Sequence, residues 1–112
     1  MTDRELLELA AKSAGIKCAR WSNGFGGLVG NQDDRPIIWN PLTGDADAFR
    51  LAVRLRIDLG EGIDKEPCAW VSYSIGDKLK SINEHYGDDP YSATRRAIVR
   101  AAAEIGKSME PS

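Results

Sequence analysis

Between Thr2 and Gly15 the apolar residues recur at helical spacing. Leu6, Leu9, Ala10 and Ser13 fall on one face and Leu7, Ala11 and Ala14 on an adjacent one, while Arg4, Glu8 and Lys12 keep the opposite side wet. Thr2 and Glu5 have the spacing of a capping box, Glu8 and Lys12 that of an i,i+4 pair, and Gly15 supplies a stop. Residues 17–39 change period. Short apolar pieces at 19–21, 28–29 and 37–39 are separated by Asn23-Gly24, Gly26-Gly27 and 31–36, which predicts a meander of short strands. Helical spacing returns over 45–57, where Ala48, Phe49, Ala52, Val53, Leu55 and Arg56 wrap a broad side directed at the core, with Thr43, Asp45 or Asp47 as the cap. The β-rich run 67–75, a Gly76-Asp77 turn and the alternating run 79–85 predict a further hairpin. The last helix, 90–105, has Asp88 or Asp89 as its cap, Pro90 in its first turn, Gly106 as its end and Lys107 at its negative pole.

The predicted order is α-β-β-α-β-β-α, with room for one extra short strand. Strand runs joined by tight turns imply antiparallel pairing, and helices between them must cover the sheet. The expected fold class is α+β: a single compact domain over 1–112, its mostly antiparallel sheet covered by three helices in a layered α/β/α sandwich, with a flexible tail over 107–112. No internal repeat with a period of roughly 20–50 residues is visible.

Composition narrows the function classes. The 112 residues suffice for one modest core, and 42% hydrophobic with 29% charged residues is a globular balance. The net charge is −2, with eight basic and eight acidic residues up to position 60 and seven and nine after it, so neither half is a charged tail. This balance disfavours nucleic acid as a partner and gives no attraction to a membrane surface. No apolar run is long enough to span a bilayer, and the N-terminus lacks the apolar core of a signal peptide. The expected location is the cytoplasm, where Cys18 and Cys68, lacking CxxC spacing, are expected to be reduced and buried.

Motifs for chemistry are sparse. The glycine run from Gly24 to Gly30 has neither the G-x-G-x-x-G spacing nor the Gly-Lys-Ser/Thr of a phosphate loop, and is read as a flexible hairpin. His85 is the only histidine, and the pairs Asp33-Asp34 and Asp88-Asp89 are read as turn and cap residues, so no metal and no cofactor is expected. Cys68 and His85 lie on adjacent predicted strands, but His85 is read as a surface or half-buried residue near a helix start and no catalytic residue is assigned. Arg50 and Arg54 share one helix face with Asp47 and Asp58 beside them; Arg96 and Arg100 share another, with Glu104 four residues after Arg100. With Tyr91 and Arg95 these arginines form the candidate surface for an anion or an acidic partner. Trp21, Trp39 and Trp70 all fall in strands, where burial under helices is the default; Trp21 and Trp39 are the candidate aromatic surface.

Two stretches carry a family resemblance. Trp39-Asn-Pro-Leu-Thr43 followed by Asp45-Ala-Asp-Ala-Phe-Arg-Leu-Ala-Val-Arg-Leu55 resembles the middle of the phage ABA sandwich domain family. Gly87-Asp-Asp-Pro-Tyr-Ser-Ala-Thr-Arg-Arg-Ala-Ile-Val-Arg-Ala-Ala-Ala-Glu-Ile-Gly106 is similar to its closing helix. The resemblance implies a layered helix–sheet–helix fold and an origin in a tailed phage or prophage. The family carries no assigned activity or catalytic residues, so it implies none here. The expected function is that of a small accessory protein in the bacterial cytoplasm. It acts without catalysis by binding a host or phage protein, in one version to inhibit a host defence. The alternatives are a binder of small anionic ligands and a nucleic-acid-associated factor; homo-oligomerisation stays open.

Overall fold

The structure, a computed structural model, describes residues 1–63 and 67–109. Helix α1 (Asp3–Ser13) leads into strands β1 (Lys17–Ser22), β2 (Gly27–Gln32) and β3 (Arg35–Trp39). Helix α2 (Asp45–Leu55) leads into β4 (Asp58–Ile63), β5 (Pro67–Ile75) and β6 (Lys78–His85), and α3 (Pro90–Ser108) closes the chain. The fold is α+β with three helices and antiparallel strands. The strands make two separate three-stranded sheets, β1-β2-β3 and β4-β5-β6, where the sequence suggested one. The 17–39 region holds three strands, and β4 adds one where the sequence showed no strand signal.

Local chemistry explains most boundaries. Thr2 and Glu5 form the capping box, with Thr2 Oγ1 accepting from the Glu5 N–H at 3.1 Å and Glu5 Oε1 accepting from the Thr2 N–H at 3.3 Å. Gly15, at φ +74°, lets the Ile16 N–H reach back to the Ala11 carbonyl and close α1. Arg4 stands against the Glu8 carboxylate, at 3.2 Å. Asp33 and Asp34 both adopt positive φ and make the two-residue turn between β2 and β3. Asp89 caps α3 by accepting from the N–H groups of Tyr91 and Ser92. That helix passes Gly106 and runs through Lys107 and Ser108, so no tail begins at 107; residues 110–112 of the expected tail lie outside the described residues.

Each sheet turns one face to the helices. In the first, the row Trp21–Leu28–Trp39 faces inward and the row Arg20–Val29–Ile38 outward. In the second, Ala69, Val71 and Tyr73 join the core, while Trp70 lies on the other face with its ring over Gly60, where a side chain would crowd it. Helix α3 is the hub, packing on α1, α2, β5 and β6. Its buried residues are mostly alanines, and with Ala10 and Ala11 of α1 they let the two helix backbones approach closely. The core is one continuous cluster joining Leu7, Leu28, Leu51, Val71 and Val99.

The element order repeats. A helix followed by a three-stranded meander occurs twice at a spacing of about 42 residues, a period that defines structural repeats. Helix α3, which follows the second meander, shares a separate pattern with α2: counted from their caps, Ala48, Arg50 and Ala52 match Ala93, Arg95 and Ala97.

Candidate functional site

The junction between β3 and α2 is densely hydrogen-bonded, and Asn40 is its centre. Its side-chain amide donates to the Gly26 carbonyl at 2.8 Å and its Oδ1 accepts from the Leu42 N–H at 3.1 Å. Its backbone carbonyl accepts from the N–H groups of Thr43 and Gly44, and its own N–H donates to Asp47 Oδ2 at 2.9 Å. Trp39 and Pro41 are buried on either side. This pattern fixes where α2 begins. The N-cap is Gly44, without a side-chain bond, so none of Thr43, Asp45 and Asp47 is the cap the sequence suggested. Asp47 serves Asn40 and Asp45 serves Arg95.

The candidate arginines are dispersed by their partners. Arg95 donates from Nε to the Leu42 carbonyl at 2.9 Å and from Nη1 to Asp45 at 2.8 Å, tying α3 to the start of α2. Arg96 reaches Asp3 at the start of α1, at 2.9 Å. Arg100 makes its ion pair with Glu84 of β6, at 2.6 Å, and not with Glu104 on its own helix. Arg54 makes a two-pronged pair with Asp33, both bonds 3.1 Å, in place of an acid on its own helix. That contact holds the Asp33 carboxyl below its usual pKa, chiefly through the Arg54 hydrogen bond and then through its charge. Tyr91 is exposed, in the first turn of α3. The five arginines expected to form one anion surface with Tyr91 therefore divide: the three of α3 staple three different elements, and Arg54 staples the first hairpin. Arg50 differs. It is exposed and makes no ion pair or hydrogen bond among the described residues.

The aromatic surface expected from Trp21 and Trp39 is not formed. Trp39 is buried, and Trp21 is half-buried on the same inward row with its indole N–H on Asn23 Oδ1 at 2.8 Å. The exposed apolar residues lie elsewhere. Phe49 and Val53, expected in the core, are 60% and 63% exposed on the outer face of α2. The buried arc of α2 is narrow, centred on Ala48, Leu51 and Ala52, and it cannot also contain residues at the edge of a broader apolar side. The number of apolar positions on so short a helix, more than one face can bury, was the only sequence signal for this.

The remaining chemical groups stay apart. Cys18, expected to be buried, is exposed at φ +57° in a bulge of β1; Cys68 is buried, and both thiols are free. Cys68 stands directly opposite His85 in the β5–β6 register, with no hydrogen bond between them among the described residues. No cluster of three or more His, Cys, Asp or Glu with metal-site geometry occurs among the described residues. Among the same residues, no helix is long and apolar enough to cross a membrane. A scan against protein-family models finds no match for the chain, and comparison with curated proteins finds no relative.

Proposed function

We propose that the protein is a phage- or prophage-encoded accessory protein that works in the bacterial cytoplasm without catalysis, by binding a host or phage protein, with a host defence factor as its target. The observation that carries this is the exposure of Phe49 and Val53, one helical turn apart on α2. Large apolar side chains held side by side in water mark interaction sites. Arg50 borders them without an acidic partner among the described residues, so the surface suits a protein that presents apolar side chains with carboxylates around them. The resemblance of 39–55 and 87–106 to the phage family supports the biological setting. Pairing of Arg54, Arg95, Arg96 and Arg100 with acids weighs against nucleic acid, which needs unneutralised cations along one side.

The test is affinity capture from phage-infected bacterial lysate with the wild-type chain and a Phe49→Ser/Val53→Ser variant, after matched unfolding curves. The expected result is a reproducible protein partner held by the wild type and lost by the variant. Equal capture by both removes α2 from the interface. Capture of nothing reproducible overturns the binding function itself.

A further inference from the structure

The register of the first hairpin leaves a backbone donor facing α2. Gln32 and Arg35 close the two-residue turn, so Ile37 and Trp39 pair with β2 while the N–H groups of Ile38 and Asn40 point out from the free edge of β3. Asn40 confirms the direction, since its N–H reaches Asp47 on α2. Between the Ile38 edge and α2 lies a cleft of about 250 Å³. Ile37, Trp39 and Leu51 give it an apolar floor, and Asp47 and Arg50 stand at its side one helical turn apart. Arg54 also lines it, but with its charge already met by Asp33.

Among the described residues, the unmet groups in the cleft include one cation, one backbone donor and one carboxylate oxygen. Arg50 has no partner among the described residues, and Asp47 uses only Oδ2, on Asn40. A comparison of α2 with α3 sharpens this. Arg95, at the same distance from its helix cap as Arg50, holds a carboxylate and a carbonyl oxygen. In α2 the corresponding guanidinium faces the cleft without them. The volume is below the roughly 300–1,000 Å³ of drug-sized pockets, which limits the ligand to a few atoms beyond a single residue.

We propose that this cleft binds a small apolar α-amino acid as its zwitterion. Arg50 and the Ile38 N–H take the carboxylate, Asp47 Oδ1 takes the ammonium, and the side chain rests on Trp39 and Leu51. The pairing of one positive and one negative group selects a ligand carrying both charges over a simple anion. The site shares Arg50 with the border of the Phe49–Val53 surface, but Phe49 and Val53 themselves do not line the cleft.

The experiment is titration of isotope-labelled protein with L-leucine and L-phenylalanine, followed by amide and indole NMR shifts. The Ile38 amide and the Trp39 indole are expected to move together and saturate. Leucine amide and N-acetyl-leucine, each lacking one charge, are expected to bind at least about tenfold more weakly, as is leucine to the Arg50→Gln protein. Phe49→Ser is expected to leave leucine binding unchanged. Absence of saturating shifts with either amino acid overturns the proposal, as does undiminished binding by Arg50→Gln. Equal binding of N-acetyl-leucine and leucine overturns the role of Asp47 and with it the zwitterion.

Discussion

Gly106 of α3 lies against the backbone of Leu9 in α1 so closely that a methyl group on its Cα would overlap the Leu9 carbonyl. Glycine here is a packing residue, inside the helix, and not the helix stop its position suggested. In an isolated helix Gly→Ala stabilises by about 1 kcal/mol. Here the obstacle is backbone, which cannot rotate aside, and overpacking costs about 1–3 kcal/mol or more. Gly106→Ala is therefore expected to lower the urea midpoint despite its better helix propensity. An unchanged or raised midpoint would contradict the close approach of α1 and α3.

Arg95 and Asp45 form an ion pair whose two ends should differ in cost. Only 17% of the Arg95 side chain is exposed, against 77% of Asp45. Removing an exposed partner costs about 0–1 kcal/mol. Arg95→Ala also deprives the Leu42 carbonyl of its donor, a loss of about 1–3 kcal/mol. The expected order of destabilisation is Arg95→Ala well above Asp45→Ala, with Arg95→Lys close to alanine because an ammonium cannot serve both acceptors in the same plane. Chemical denaturation of the three variants decides it. Equal effects at both ends would show that the Leu42 contact contributes nothing.

What the sequence disclosed follows from how local each signal was. The Thr2–Glu5 box, the Asp89-Pro90 start of α3 and the Gly76-Asp77 turn depend on neighbours in the chain, and all were legible. The end of α2 was not: Arg56 occupies the left-handed cap position, at φ +56°, that glycine usually marks. Strand β4 was missed because Gly60 and Gly62 interrupt it, and both lie under side chains from β5 that only the sheet brings there. The candidate site was half legible. Charge pattern identified Arg50 and Arg54, but their separate fates depend on Asp33, more than a dozen residues away in another element. The exposure of Phe49 depends on how little of α2 the core covers, which no pattern along the chain records.

Asn40 is expected to be the most sensitive polar residue at the start of α2. Asn40→Ala removes the donor to Gly26 and the acceptor for Leu42, at about 1 kcal/mol per bond, so about 2 kcal/mol in all. Asn40→Asp keeps the acceptor but loses the donor and places a carboxylate near the Gly26 carbonyl. It should therefore recover little. Thermal or urea unfolding measures both. If Asn40→Asp matched the wild type, the bond to Gly26 would have no energetic weight.

Acid should act on Asp33 through Arg54. The contact lowers the folded-state pKa of Asp33 below the ordinary value of 3.8. A carboxyl whose pKa is depressed by folding contributes stability above its unfolded pKa and loses it as pH falls through the folded value. Asp33→Asn keeps a residue that tolerates the positive φ of the turn and removes only the titrating charge. The wild type is expected to be more stable than Asp33→Asn at neutral pH, with the gap closing as pH falls from 3.8 toward the lowered pKa. Both groups are solvent-exposed, so salt should narrow the gap at neutral pH as well. Urea midpoints of the two proteins across this range give the measurement. A gap that stayed constant through the acid limb would assign the difference to the turn backbone and not to the ion pair.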